Sequence, residues 1–211
     1  MNKKRTARIY RLEGLSLRIR RRKKLASFPR VPLEKPTRPN QVWSMDFVHD
    51  AFWSGGRFKV LTLVDTFTRE CLAAEADTSL NSPRVVSILE RVSDMRGYPN
   101  GIRIDNGPEF ISQVLEEWAY RTGVNLARID PGKPVQNAYI ESFNGRFRDN
   151  CLNQNYFLGL SDAREKIGEW KDEYNTVRPH GSLKGLTPQE FVNGWREPDQ
   201  QSAPEAKSLV V

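Results

Sequence analysis

Two stretches of the sequence decide the fold that we predict. They are Arg103-Ile104-Asp105-Asn106-Gly107-Pro108-Glu109-Phe110 and Asn137-Ala138-Tyr139-Ile140-Glu141-Ser142-Phe143-Asn144-Gly145-Arg146. The first is typical of a short buried strand that ends at Asp105, because the glycine and proline that follow force a turn. The second predicts a helix that carries Glu141 beside its apolar face. Between Asp105 and Glu141 lie 35 residues.

A third acid, Asp46, lies in the earlier run Val42-Trp43-Ser44-Met45-Asp46-Phe47-Val48. This run alternates with the period of a strand, so Asp46 shares a face with Ser44 and Val48. Three carboxylates delivered by two strands and a helix match the ligands that two divalent cations need for phosphoryl transfer. Mg²⁺ fits such a set, because it prefers hard oxygen ligands and completes its shell with water and substrate phosphate.

Other charged residues compete with these three or support them. The competing acids are Asp50, Asp65 and Asp130, of which Asp65 is the closest rival of Asp46 because it ends the next predicted strand. Arg148 follows Glu141 by two helical turns and therefore points the same way, where it suits a phosphate clamp.

The remaining pattern predicts alternating strands and helices. Strands are expected at 42–48, 57–65, 70–76, 101–105 and 125–129, and helices are expected from Ser82, from Ser112, over about 135–151, from Ser161 and from Thr187. The order β-β-β-α-β-α-β-α is that of a ribonuclease-H-like α/β fold. We therefore expect a mixed five-stranded sheet with helices on both faces, plus C-terminal helices.

Composition narrows the function classes. The chain has 211 residues, 38% of them hydrophobic, and no window approaches 18 continuous apolar residues, which argues against a membrane span and for a cytoplasmic protein. Two cysteines and two histidines, far apart in sequence, favour neither a disulfide framework nor a zinc site. Buried thiols are expected instead.

Positive charge is concentrated at the start of the chain. Residues 1–30 hold 12 Lys/Arg and one acid, whereas the remainder holds 21 Lys/Arg and 25 Asp/Glu. Such an arm is typical of contact with nucleic acid, and its densest run contributes Arg20, Arg21, Arg22, Lys23 and Lys24. We expect a basic arm at 1–24, a proline-rich linker at 25–40, a core with C-terminal helices at 41–196 and a disordered tail at 197–211.

Several motifs resemble the integrase-core transposases of bacterial insertion sequences, orfB-type proteins related to retroviral integrases. They are Trp43-Ser44-Met45-Asp46-Phe47-Val48, Thr66-Phe67-Thr68-Arg69-Glu70-Cys71, the two stretches quoted first, Tyr174-Asn175-Thr176-Val177-Arg178-Pro179-His180 and Thr187-Pro188-Gln189-Glu190-Phe191. The resemblance covers about residues 40–195. Its most specific signals are the 35-residue gap and the basic residue seven places after the glutamate.

The resemblance implies an activity and assigns roles to residues. Asp46, Asp105 and Glu141 would be the catalytic ligands of two Mg²⁺ or Mn²⁺ ions in each active site, with Arg148 as the associated basic residue. The implied reaction nicks transposon ends to free 3′-hydroxyls and joins these ends to target DNA, with no covalent protein–DNA intermediate. The further residues implied are Asn106, Gly107 and Glu109 as shaping the site, and Arg146, Asn137 and Tyr139 as contacting DNA.

The resemblance also implies partners. These are double-stranded DNA, further copies of the chain assembled on that DNA, and a protein from an upstream reading frame, all in the bacterial cytoplasm at the nucleoid. Family members carry an N-terminal helix-turn-helix region, so residues 1–24 are expected to be the tail of a truncated DNA-binding region.

Two other readings of the same residues stay open. The first is another ribonuclease-H-like metal nuclease, for example one that acts on RNA–DNA hybrids. The second is a catalytically silent transposase remnant that binds DNA through its arm.

Overall fold

The computed structural model describes residues 36–105, 110–128 and 138–196, together with residues 5, 8, 9, 12 and 13 near the N-terminus. The chain divides into two units, Met1–Leu33 and Glu34–Val211. In the first unit, the described residues 5, 8, 9 and 12 are helical. The second unit contains the sheet.

The sheet has five strands in the order β3-β2-β1-β4-β5. The strands are β1 (Val42–Ala51), β2 (Arg57–Asp65), β3 (Cys71–Asp77), β4 (Gly101–Ile104) and β5 (Asn125–Arg128). β1 pairs antiparallel with β2, and β2 with β3, whereas β4 pairs parallel with both β1 and β5. The predicted mixed sheet is therefore confirmed, with an antiparallel meander on one side and parallel pairing on the other.

Five α-helices accompany these strands in the described part of the chain. They are α1 (Ser82–Arg96), α2 (Gln113–Thr122), α3 (Ala138–Asn150), α4 (Leu160–Thr176) and α5 (Pro188–Gly194). Short 3₁₀ helices at Leu152–Gln154 and Gly181–Leu183 precede α4 and α5 respectively. None of the described helices combines the length and the apolar character that crossing a membrane requires.

Period-two alternation along the strands divides the apolar side chains between two cores. On one face of the sheet, Trp43 and Met45 of β1 pack with Leu61 and Leu63 of β2 and with the buried side of α1 and α2. The residues between them face the other way, because successive side chains of a strand point to opposite faces. The helices therefore cover both faces, as the sequence predicts.

The second core holds α3 and α4 against the sheet. Val60 and Val64 of β2 contribute to it from the sheet, and Phe147 of α3 and Trp170 of α4 contribute from the helices. The rings of Phe147 and Trp170 lie 4.9 Å apart between centroids, and Phe143 lies 5.6 Å from Trp170. Aromatic packing of this kind sets the position of α3, the helix that carries Glu141.

Some details of the helices differ from the prediction. Asn81, not Ser82, caps α1, because the Asn81 side chain accepts a hydrogen bond from Arg84 N at 3.1 Å. Met95 and Val114 are 70% and 41% exposed, so the expected apolar stripes of α1 and α2 are each narrower by one residue. Gly159, not Ser161, precedes the first turn of α4.

The helix predicted from Thr187 is present as α5 and begins with a capping box. Thr187 Oγ1 accepts from Glu190 N at 3.2 Å, and Glu190 Oε2 accepts from Thr187 N at 2.8 Å. The ring of Phe191 on this helix lies 5.5 Å from that of Phe67, in the turn between β2 and β3. The expected tail at 197–211 lies outside the described residues.

Both cysteines are buried and free, as expected. Burial raises the pKa of each thiol to about 12, since an apolar environment disfavours the thiolate. Cys71 and Cys151 therefore pack as small apolar residues.

We expect Phe147→Ala to lower the free energy of unfolding by about 3–5 kcal/mol, because Phe147 has no exposed surface and its ring fills the core under α3. Tyr120→Ala is the control: Tyr120 is 92% exposed on α2, and its loss should change stability by less than about 0.5 kcal/mol. Urea unfolding of both variants measures the difference. Equal losses in the two variants would contradict the packing of α3 described above.

Candidate active site

Two of the three predicted acids come from neighbouring parallel strands, since Asp46 lies on β1 and Asp105 directly follows β4. In the pairing of β1 with β4, Ser44 aligns with Arg103, and the same register continued by two residues brings Asp46 beside Asp105. Ile102 and Ile104 face the core under α1 and α2, so Asp105 belongs to the opposite face of the sheet, as does Asp46. This is the face that α3 covers.

A chain of hydrogen bonds ties α3 to β1 and β2. Asn144 of α3 donates from Nδ2 to Asp46 Oδ2 at 2.8 Å. Thr62, which pairs with Asp46 across the strands, places its hydroxyl 3.0 Å from Asn144 Oδ1 and 3.1 Å from Asp46 O. Because Asn144 lies three residues after Glu141, both side chains are on neighbouring parts of one helix face. The contact therefore holds Glu141 over the end of the sheet that carries Asp46.

The three acids interact electrostatically. The pKa of Asp46 is raised from 3.8 to about 6, first by burial and then by repulsion from the carboxylates of Asp105 and Glu141. The N–H of Phe47, which donates to Asp46 Oδ1 at 2.7 Å, and the amide of Asn144 act in the opposite direction because they stabilise the ionised form. Repulsion of this kind is felt only between charges that lie near one another.

The donor set at this point fits a divalent cation. Asp46 accepts one hydrogen bond on each oxygen, which leaves a lone pair on each for a metal ion. A cation relieves the repulsion that raises the pKa of Asp46, because it supplies the opposite charge. No three described acidic, histidine or cysteine side chains lie within the distance needed to share one ion, so the acids must approach further to do so.

Asp65, which the sequence offered as the main alternative to Asp46, stabilises a turn through hydrogen bonds to the backbone. It is 2% exposed, and its Oδ1 accepts from the N–H groups of Phe67 at 2.7 Å and Thr68 at 3.1 Å. Its Oδ2 accepts from Asn40 N at 2.8 Å. The carboxyl group thus organises the turn that leaves β2. Of the other competing acids, Asp50 lies near the far end of β1, and Asp130 is outside the described residues.

The predicted DNA-contacting residues of α3 do not share one environment. Arg148 is exposed on the helix. Arg146 is exposed too, but its Nη1 lies 3.3 Å from Nδ1 of His180. The ring of Tyr139 lies under the guanidinium of Arg69, 3.9 Å from its centroid. The predicted residues outside the described ranges are Arg20, Arg21, Arg22, Lys23, Lys24, Asn106, Gly107, Glu109 and Asn137.

Sequence reasoning assigned no role to Asn144 or Thr62, although both touch Asp46. A signal for Asn144 exists, since it follows Glu141 by three residues in the stretch quoted first. Thr62 carries no such signal, because its position opposite Asp46 depends on the register of β1 and β2.

Comparison with known proteins identifies the family. Residues 36–134 match a family model described as an integrase core domain, and residues 122–188 match a second model of the same description. A 31.7 kDa protein of insertion element IS407 from Burkholderia multivorans is 48% identical over 191 residues, which are 90% of this chain and 69% of that protein. The chain belongs to the insertion-element transposase-like proteins with an integrase core domain.

Other relatives of this transposase-like protein extend the comparison. A 39.2 kDa protein of insertion element IS476 from Xanthomonas euvesicatoria is 42% identical, over 96% of this chain and 59% of the relative. InsK of insertion sequence element IS150 from Escherichia coli K12, which carries the name of a transposase, is 25% identical over 75% of this chain. The chain spans 56% of the length of InsK.

Solved structures share the fold of the transposase-like protein. A chain of the simian T-cell lymphotropic virus intasome, in complex with a PP2A regulatory subunit, superposes with a TM-score of 0.69 at 20% identity, covering 90% of this chain and 66% of that one. The HTLV-2 integrase catalytic core domain, solved with magnesium, gives 0.59 at 22% identity, covering 72% of this chain and 96% of that one. The predicted ribonuclease-H-like fold is thereby confirmed.

The raised pKa of Asp46 predicts a pH dependence of stability. Between pH 3.8 and about 6 the folded protein keeps a proton that the unfolded chain has released. The stability that this group contributes is therefore fully present below pH 3.8 and is lost as the pH rises through about 6. Asp46→Asn removes this group. The free energy of unfolding of the variant minus that of the parent should therefore be about 2 kcal/mol larger at pH 7.5 than at pH 4.5.

Urea unfolding at the two pH values measures this difference, with Asp50→Asn on the same strand as the control for loss of an acid. Asparagine at position 46 keeps both hydrogen bonds if the Asn144 amide turns over, because the Thr62 hydroxyl can accept as well as donate. A difference that is the same for both variants would show that the pKa of Asp46 is not raised in the folded protein.

Proposed function

We propose that this chain is the catalytic part of a DNA transposase. In this proposal Asp46, Asp105 and Glu141 hold two Mg²⁺ or Mn²⁺ ions, and the protein nicks the ends of an insertion sequence and joins the freed 3′-hydroxyls to target DNA. The observation that carries the proposal is the hydrogen bond from Asn144 of α3 to Asp46, which holds the helix of Glu141 beside β1, the strand that pairs with β4 just before Asp105. Ligands of open α/β sheets bind at this end of parallel strands.

When bound, two divalent ions lower the pKa of the attacking water or hydroxyl and stabilise the leaving oxygen of an in-line displacement. The chain's own groups prepare for this. Phe47 N–H and the Asn144 amide fix the orientation of the Asp46 carboxylate, and Thr62 fixes Asn144 in turn. Because Asp46 must release its proton to bind a cation, metal affinity should strengthen as the pH rises through about 6.

DNA contact is the second part of the proposal. Residues 1–30 carry 12 of the 33 Lys/Arg side chains, and Arg146 and Arg148 add two exposed cations to α3. Charges of this sign neutralise backbone phosphates without reading sequence. The chain spans 69% and 59% of the length of its IS407 and IS476 relatives. We therefore also treat as proposals the recognition of particular ends, the assembly of copies on DNA and a partner from an upstream frame.

Asp105→Asn should abolish the nicking and joining of labelled insertion-sequence ends in the presence of Mn²⁺, while binding of the same DNA stays within about twofold of the parent. The reason is that the amide cannot replace a carboxylate as a metal ligand, yet it keeps the shape of the side chain. Gel analysis of the cleaved and joined strands, with binding measured by fluorescence anisotropy, gives both quantities.

Asp50→Asn serves as the control and should retain both activities, because Asp50 lies four residues beyond Asp46 on β1. Joining by Asp105→Asn at the parent rate would remove Asp105 from the site. A parent protein that binds DNA but never nicks it would identify a silent remnant, and preferential cutting of the RNA strand of a hybrid would identify a different nuclease.

Replacing Arg20, Arg21, Arg22, Lys23 and Lys24 by glutamine should make the salt dependence of DNA binding shallower. If each of the five side chains neutralises one phosphate, the slope of log K against log salt falls by about 4–5, at roughly 0.9 per phosphate. A salt titration of binding to duplex DNA measures the slope.

The matched control removes five positive charges from the second unit. Its positions are Arg91, Arg121, Arg164, Lys166 and Arg196. The first four of these already form ion pairs with acids of the same unit, so their loss should change the slope much less. Equal slopes for the two variants would show that the arm has no special part in binding.

A further inference from the structure

A cavity of about 290 Å³ opens beside α3, on a face next to the one that carries Glu141. Ser142 and Arg146 line it from the helix, and Arg69 lines it from the turn between β2 and β3. The segment that follows α4 closes the far side with His180. Since successive residues of a helix are about 100° apart, Ser142 looks into the cavity while the neighbouring Glu141 faces the acids.

The described lining of the cavity carries positive side chains and no negative ones. None of the ten described residues that line it is acidic, and two of them are arginines. The pKa of His180 is lowered from 6.5 to about 4 by burial and by the positive charges of Arg146, Arg69 and Arg178. Of these three arginines, Arg178 has an acidic partner, Glu173, at 3.0 Å. The cavity therefore has an electrostatic field that favours an anion.

Arg69 has a nitrogen that lacks an acceptor. Its Nη1 is buried and has no hydrogen-bond partner among the described residues, while the guanidinium stacks over the Tyr139 ring at 3.9 Å. The backbone of Arg69 has φ of +63°, a left-handed conformation that is uncommon for residues other than glycine. A buried donor without an acceptor is unfavourable in a folded protein, and an oxygen atom entering the cavity can supply the acceptor.

The contact with His180 orients the Arg146 side chain in the lining of the cavity. Arginine can only donate, so the contact of Arg146 Nη1 with His180 Nδ1 at 3.3 Å requires an imidazole that accepts at this nitrogen. A neutral ring satisfies this requirement and avoids a further positive charge. The ring is 4% exposed and is held by the edge-to-face contact with Tyr174 at 4.7 Å.

We propose that Arg69, Arg146 and Ser142 form a pocket for one phosphate group of the DNA backbone, next to the three acids. Two guanidinium groups and a hydroxyl supply the several convergent donors that a phosphate accepts, and guanidinium groups can bind it with two parallel hydrogen bonds. The pocket is distinct from the clamp suggested for Arg148, because Arg148 lies on the side of α3 that faces the acids. This inference rests on the proposed function, which makes DNA the substrate.

The test measures the affinity of the full chain for a fluorescein-labelled 20-base-pair duplex of arbitrary sequence, in EDTA and over a series of salt concentrations. Arg69→Gln and Arg146→Gln should each weaken binding by about five- to tenfold at 100 mM salt and lower the salt slope by about 0.9, the value for one phosphate. The double variant should lower the slope by the same amount, about 0.9 in total, because both arginines bind one phosphate.

Arg121→Gln is the matched control, since Arg121 is a paired arginine on α2, where it contacts Glu90 at 2.6 Å. It should change neither the affinity beyond twofold nor the slope. Thermal melting of each variant tests whether it is folded. If Arg146→Gln does not fold, the DNA affinity and salt slope of Arg69→Gln are compared with those of Arg121→Gln, and equal values would overturn the pocket. A slope change of about 1.8 in the double variant, or equal effects of the control and the pocket variants, would overturn the single-phosphate pocket.

Nicking of insertion-sequence ends with Mn²⁺ by the parent protein separates this inference from the proposed function. A parent that does not nick refutes the proposed chemistry, but the anisotropy result still decides whether the pocket holds a phosphate. A parent that nicks, with pocket variants that bind like the control, refutes the pocket alone.

Discussion

One hydrogen-bonded connection joins the Asp46 carboxylate of the sheet to α3. Asn144 joins the Asp46 carboxylate to the Thr62 hydroxyl, so one amide links β1, β2 and the helix that carries Glu141. The connection holds a half-buried carboxylate close to two others, an arrangement that costs free energy because like charges resist joint ionisation. The aromatic packing of Phe147 against Trp170 offsets part of this cost by holding α3 in place.

Under the proposed function, stability and cation binding oppose each other at Asp46. A carboxylic acid with a pKa of about 6 is unfavourable for folding near neutral pH, yet the same group is only weakly protonated there and can accept a cation. Proteins retain such unfavourable groups at functional sites and compensate elsewhere in the fold. Burial raises the pKa of Asp65 as well, but its carboxylate accepts three backbone hydrogen bonds and organises a turn, so this group serves the fold.

Opposite charges occupy neighbouring faces of one helix. Glu141 belongs with the acids, whereas Ser142 and Arg146 line a cavity that contains two arginines and no described acid. In the proposed function, the acids bind metal cations near the scissile phosphate, and the arginines of the cavity bind a neighbouring phosphate of the same nucleic acid. Helical geometry provides this separation within a single turn, because residues 141 and 142 differ by about 100° around the axis.

Much of the fold could be predicted from local pattern. Alternation along β1 placed Asp46 on the face opposite Trp43 and Met45, because the side-chain period of a strand depends only on neighbouring residues. Tertiary structure alone decided the rest. The pairing of Thr62 with Asp46 requires strand register, and the meeting of Arg69, Arg146 and His180 joins segments separated by more than 30 residues, whose contact depends on how α3 and α4 pack on the sheet.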